Sequence, residues 1–157
     1  MRDVHRDAFA GSEGTPAEVG LVDALRADVG WIPALSIVAV EPDGQIVGHV
    51  VATRGHVDGR PALGLGPIGV LSRVQRRGVG SALMHAVLAA ADARDEPLVV
   101  LLGHTEYYPR FGFVPSTELG IAPPDPEWAA HFQARALTAH TPELTGTFEY
   151  AKPFNDL

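Results

Sequence analysis

The sequence predicts an α/β fold organised around one strand–helix–strand unit. Three observations predict it. Leu63–Leu71 is an apolar run anchored by the β-branched Ile68 and Val70, which reads as a strand. A basic, glycine-rich turn, Ser72–Ser81, leads into a helix with Val79, Leu83, Ala86, Val87 and Ala90 at helical spacing, so one face is buried. After the break at Glu96-Pro97, Leu98–Leu102 is a fully apolar strand of the kind buried on both faces. That order implies a right-handed crossover joining a parallel pair.

The other elements follow in chain order. Arg2–Phe9 reads as a short helix, with Val4 and Ala8 one turn apart, and Gly11–Thr15 as a loop. A second helix starts at Thr15 or Pro16, with Pro16 tolerated in the first turn and Glu18 near its positive end. Val19, Val22, Leu25 and Ala27 form its expected buried side, and it ends near Gly30. Ser36–Glu41 and Gln45–Arg54 alternate as the strands of a hairpin closed by Pro42-Asp43-Gly44. Gly55–Pro61 reads as a polar loop. Glu106–Phe111 is a short helix or turn stopped by Gly112, and Gly120–Glu127, with three prolines, is a surface loop. Ala130–Leu137 and Thr145–Tyr150 read as the last strands. No repeat or second domain interrupts the chain, so residues 1–157 are expected to form one domain.

Composition narrows the function. A chain of 157 residues has enough interior for a real core, and 46% hydrophobic with 20% charged residues is ordinary for a globular protein. No apolar run approaches the roughly 20 residues of a membrane helix. Met1–Arg6 lacks a signal peptide's apolar stretch, so a cytoplasmic location is expected. The absence of cysteine excludes disulfides, thiolate metal sites and cysteine nucleophiles. The histidines fall in no HxxxH or HxH spacing, and no metal is expected. A net charge of −7 argues against generic nucleic-acid binding.

Against that acidic background, Arg73, Arg76 and Arg77 crowd one turn beside Gly78 and Gly80. The first N–H groups of the following helix have no internal partner, and the helix dipole adds partial positive charge there. Such a turn holds a phosphate or pyrophosphate; the competing reading is a solvated basic turn. Gly64-Leu65-Gly66-Pro67-Ile68-Gly69 matches GxGxxG literally, but it lies within a strand rather than opening a helix. A Walker A loop needs a lysine that is missing here.

Gln75-Arg76-Arg77-Gly78-Val79-Gly80, after a strand ending Val70-Leu71-Ser72, resembles the signature of the GCN5-related N-acetyltransferase (GNAT) family, with Ser72 where a proline is usual. Tyr108-Pro109-Arg110-Phe111-Gly112-Phe113 resembles the second signature of that family, Tyr-x-x-x-Gly-Phe. The segment Gly103–Tyr108 further resembles a YhbS-like bacterial subgroup. The likeness runs from about Val4 to Phe154 and is strongest over Leu63–Val114.

The resemblance implies the GNAT, or acyl-CoA N-acyltransferase, fold: a mixed central sheet splayed between two parallel strands, with helices on both faces. It also implies a first strand ahead of the first helix pair; the sequence starts inside the first helix, so that strand is expected to be missing or trimmed away. It implies acetyl-CoA as co-substrate. Its pantetheine arm would pair with the Ile68–Leu71 strand, and its pyrophosphate would sit on the amides of Arg76, Arg77, Gly78, Val79, Gly80 and Ser81. The side chains of Gln75 and of Arg76 or Arg77 would assist, and Ser81 would cap the helix or touch phosphate. Pro67 and the glycines around it are compatible with a bulge. An N–H of Val70 or Leu71 would polarise the thioester carbonyl.

The implied reaction is direct attack of a neutral amine on the thioester in a ternary complex, much of the rate coming from proximity. Tyr108 matches the family's general acid toward the leaving thiolate; the competing reading is a packing tyrosine. Tyr107 is assigned to packing or substrate contact. Relatives place a glutamate on the central strand as base, but Ala62–Leu71 carries no carboxylate. His104, just past the Leu98–Leu102 strand, is the nearest base candidate, ahead of His49 and Glu106; the competing reading has it cap the next turn. His85 is expected to be a surface or packing residue.

The leading reading is an N-acetyltransferase acting on a small-molecule or peptide amine, as monomer or homodimer, with no nucleic-acid or membrane partner. A non-catalytic acyl-CoA-binding or regulatory module on the same fold is the alternative. A nucleotide-binding regulator, binding ATP or NAD instead, is a third.

Overall fold

The structure is a computed structural model, and it describes residues 17–156. The expected Arg2–Phe9 helix, the Gly11–Thr15 loop and the question of a first strand lie outside the described residues. Helix α1 (Ala17–Ala27) precedes strands β1 (Ser36–Val40), β2 (Ile46–Val57) and β3 (Arg60–Val70). Helix α2 (Val79–Ala93) then leads to β4 (Leu98–Leu102), β5 (Val114–Pro115), β6 (Ile121–Ala122), β7 (Phe132–Ala136) and β8 (Gly146–Glu149). The sheet runs β5-β7-β4-β3-β2-β8-β6, with β1 paired to β2. It is mixed, as expected: β3–β4 is parallel, while β1–β2, β2–β3 and β4–β7 are antiparallel.

Each helix buries the stripe its spacing dictates, with two adjustments. Helix α2 presents Leu83, Met84, Val87, Leu88 and Ala91 to Val50, Ala52, Leu63, Leu65, Val99 and Leu101, while Ala86 is exposed. Gly48 lets the helix come close, since a Cβ there would lie 2.9 Å from Leu83 Cδ1. Helix α1 buries Leu21, Val22 and Leu25, whereas Ala27 is exposed. Each fully buried leucine contributes roughly 1.5–3 kcal/mol. The opposite face of the sheet carries Val57, Leu98, Val100, Phe132 and Phe148.

Two expectations of a loop fail. Within Gly120–Glu127, Ile121–Ala122 is the short strand β6, paired parallel to β8 with Ile121 buried. Gly55–Pro61 is not a loop: β2 and β3 continue toward each other until Val57 pairs with Arg60. Asp58 (φ 45°) and Gly59 (φ 82°) make the turn, both in the left-handed region that an Asp-Gly hairpin requires. The Asp58 carboxylate accepts the Thr147 N–H at 3.1 Å, fastening the turn to β8.

A buried ion pair braces the sheet behind the parting of β3 and β4. Arg54 on β2 donates to both oxygens of Glu96 at 2.7 and 2.8 Å, and to Ala62 O at 3.1 Å. The Glu96 hydrogen bonds raise the Arg54 pKa against the opposing effect of burial. Glu96→Gln keeps the shape but leaves Arg54 poorly compensated. Urea unfolding should register a loss of about 2–3 kcal/mol, at or below the low end for breaking a buried pair because the arginine keeps some solvent contact. A loss within 0.5 kcal/mol (about the scatter of ordinary surface substitutions) would make the pair superficial.

Candidate active site

Strands β3 and β4 pair at only two positions, Leu63 with Val99 and Gly64 with Val100, and then part. The cause is local to β3. Its register with β2 steps from Leu65–Ala52 to Ile68–Val50, so Gly66 and Pro67 together oppose Val51 in a bulge. Gly66 has φ 139°, which favours glycine, and the Gly66–Pro67 peptide is cis. The bulge expected around Pro67 is therefore present. Two cavities of about 540 Å³ each lie along the resulting cleft, and Ile68 lines both.

The β3 backbone faces this cleft at alternate residues. Leu71 N–H donates to Val47 O at 2.9 Å, toward β2. Amides alternate along a strand, so those of Val70 and Ile68 point the other way. This corrects the expectation for Leu71: its N–H is engaged by β2, which leaves the N–H groups of Val70 and Ile68 as those turned toward the cleft. Val70 O accepts Gln75 Nε2 at 3.0 Å, so the Gln75 side chain ties the turn back to the strand.

The turn itself forms the floor of one cavity. Arg76 (φ 64°) and Gly78 (φ 85°) both adopt left-handed backbone, and Gly78 begins α2 with no side-chain cap. The first amides of α2 therefore lack helical partners. A Cβ on Gly78 would meet nothing within 4 Å, and one on Gly80 would lie 3.4 Å from the Tyr107 hydroxyl. The floor is bare backbone, and Arg76, Gly78, Gly80, Ser81, Tyr107 and Arg110 surround it.

The three arginines of the turn separate. Arg76 lines the cavity, and Arg77 is exposed and does not line it. Arg73 turns away to Glu41, at 2.8 and 3.2 Å, and to Gln45 Oε1 at 2.7 Å, pinning the turn to the β1–β2 hairpin. Sequence reasoning missed Arg110, which supplies the second cation. Its Nε donates to Tyr107 O at 2.9 Å, and its guanidinium lies 4.6 Å from the Tyr107 ring centroid. The i, i+3 spacing from Tyr107 was the available signal.

Tyr107 and Tyr108 serve different cavities. Their rings meet edge to face at 5.0 Å, with Tyr107 beside the cationic cavity and Tyr108 in the apolar one. The Tyr108 ring packs over Gly103, where any Cβ would run into it. Burial raises the Tyr108 pKa, with Tyr107 adding a smaller push, so the hydroxyl stays a proton donor.

His104 is exposed and lines the apolar cavity with Tyr108. Its carbonyl accepts the N–H groups of Tyr107 and Tyr108 at 3.2 and 3.4 Å. His49 is fully buried, its Nε2 2.8 Å from Ser36 Oγ. Glu106 is exposed and lines neither cavity of the cleft. His85 is exposed, its ring 5.2 Å from that of Phe111. Among the described residues no aspartate or glutamate lines either cavity, and no group of His, Asp and Glu is arranged to hold a metal. No described helix is long and apolar enough to cross a membrane.

A parted parallel pair above a bare-backbone helix start is the arrangement of the GNAT fold, and the family's acetyltransferase (GNAT) domain model matches residues 33–115. The chain belongs to the GNAT acetyltransferase family. It is 34% identical over 161 residues to the uncharacterized N-acetyltransferase YjhQ of Escherichia coli, covering 98% of this chain and 86% of that one. It is 30% identical over 142 residues to the uncharacterized N-acetyltransferase YhbS of the same organism, covering 88% and 84%. The crystal structure of E. coli YhbS in complex with CoA superposes with a TM-score of 0.87 at 27% identity, over 98% of this chain and 86% of that one. A GNAT family acetyltransferase from Brucella melitensis in complex with acetyl-CoA superposes with a TM-score of 0.78 at 33% identity, over 98% and 89%.

Proposed function

We propose that this chain is an acetyl-CoA-dependent N-acetyltransferase acting on a primary amine of a small molecule or peptide by direct transfer in a ternary complex. The observation that carries the reading is the cleft itself. One end offers bare amides and two arginines for an anion, and the other offers the hydroxyl of the partly buried Tyr108. The solved relatives bound to CoA and acetyl-CoA support the same choice of acyl donor.

The residues fit that donor. The amides of Gly78–Ser81, with Arg76 and Arg110, hold its pyrophosphate, and Gln75 keeps the turn in place. The Ile68 and Val70 backbone groups pair with its extended arm. The donor supplies an activated thioester. Val70 or Ile68 N–H offers a hydrogen bond to the carbonyl oxygen. Tyr108 gives its proton to the departing sulfur and recovers one from solvent. His104, at the open side of the same cavity, accepts the proton that the amine releases. Free CoA thiol released only when both acetyl-CoA and an amine are present is the expected assay result. Tight CoA binding without turnover on any amine would favour the binding-module alternative.

The His104 assignment has its own test. His104→Gln should lower kcat by about 100-fold, the low end for loss of a general base, with acetyl-CoA affinity retained. A folded variant with unchanged kcat would transfer the task to water.

A further inference from the structure

The acyl donor, whose thioester reaches Tyr108, does not account for the rest of the apolar cavity. The cavity lies toward the bulge end of the cleft and extends beneath α1 and the C-terminal segment, with Leu65, Pro67 and Leu101 along its sheet side. Tyr108, Trp128, Tyr150 and Phe154 supply its rings. Tyr150 is the centre of that group. Its ring lies 4.6 Å from Phe154 and 6.5 Å from Trp128. It rests on Gly64, where a Cβ would come within 2.6 Å of Tyr150 Cδ1. Gly64 thus has a packing role at the last residue before β3 and β4 part, which explains one glycine of the GxGxxG coincidence.

Resting on the acetyltransferase reading, we propose that this cavity is the acceptor site and that it takes a primary amine carried on an aromatic or branched apolar body with no second charge. The four rings offer offset and edge contacts to such a body. Among the described lining residues there is no lysine or arginine to pair with an acceptor's carboxylate or phosphate, and no carboxylate to hold a second ammonium. A polyamine or an amino acid would therefore leave water without an opposite charge to meet its second charge among these residues. The same environment disfavours the ammonium form of the bound amine, because desolvation penalises the charged state. With no carboxylate among its described lining residues, the cleft can in this way enrich the nucleophilic, neutral amine. The volume of about 540 Å³ admits one small aromatic group beside Tyr108.

The test uses the full chain. Release of CoA thiol from acetyl-CoA is compared for 2-phenylethylamine, tryptamine and isoamylamine against putrescine, spermidine, glycine and lysine. The first group should exceed the second in kcat/KM by at least about 100-fold, as expected where unpaired charges must be buried. Calorimetric titration of 2-phenylethylamine into CoA-saturated protein should show binding even if turnover is slow. Trp128→Ala and Phe154→Ala should each raise the KM or Kd for the aromatic amine about tenfold or more, with acetyl-CoA affinity, titrated separately, retained. A charged amine as the preferred acceptor, or no binding of 2-phenylethylamine to the CoA complex, overturns the acceptor assignment while leaving the acetyltransferase reading standing. Failure to bind acetyl-CoA at all overturns both.

Discussion

Gly78→Val is expected to abolish acetyl-CoA binding in a protein that still folds. Gly78 has φ 85°, and a valine there pays a left-handed backbone cost of roughly 1–2 kcal/mol, which a domain of ordinary stability survives. The larger effect is steric. The new side chain would stand in open space at the floor of the cationic cavity, where backbone amides must reach the phosphates. Gly44→Val is the matched control: Gly44 has φ 90°, sits in the β1–β2 turn with nothing within 4 Å of its would-be Cβ, and lines no part of the cleft. Strain is similar in the two variants, so a difference in acetyl-CoA titration isolates the cavity. Arg76→Ala and Arg110→Ala should each weaken binding only several-fold, because the amides remain. Unchanged affinity in Gly78→Val would refute the phosphate-cradle reading.

Tyr108→Phe should lower kcat by about 100-fold, the low end for loss of a general acid, with little change in the KM for acetyl-CoA. The substitution keeps the ring that packs over Gly103 and removes only the hydroxyl. The pH dependence follows from the direction of the shift. Burial holds this phenol above its usual value of about 10, so its proton is in place throughout the neutral and mildly basic range. The basic limb of kcat in the native enzyme should therefore not fall before that value. Tyr107→Phe should spare kcat more and appear in acetyl-CoA affinity, since Tyr107 borders the other cavity. An inactive Tyr107→Phe beside an active Tyr108→Phe would exchange the two assignments.

Local signals carried most of the fold. The helix at Val79, the Leu98–Leu102 strand and the Pro42-Asp43-Gly44 hairpin each rest on spacing and turn chemistry within a few residues, and each is present in the structure. The bulge at Gly66-Pro67 was legible for the same reason. The Asp58-Gly59 turn was equally local, yet the polar run around it masked two strands that lengthen into one hairpin. What could not be read was long-range. Nothing near Arg73 indicates that Glu41, 32 residues away, draws it off the cradle. Nothing in the sequence brings Trp128, Tyr150 and Phe154 together beside Tyr108. Ala27 and Ala86 are small enough to fit either side of a helix, so spacing alone misassigned them.

The parting of β3 from β4 also bears on how the protein keeps its shape. A sheet usually spends every central backbone donor on a neighbouring strand, and here Ile68 and Val70 turn theirs toward an opening instead. A molecule that completes the ladder acts in part as a missing strand. Because it completes only the native state, it shifts the folding equilibrium in proportion to the logarithm of its concentration once above its dissociation constant. On the reading proposed above, the stability of the folded chain is coupled to the supply of its own acyl donor, and scarcity of that donor should lower both the rate of transfer and the resistance of the protein to unfolding and proteolysis.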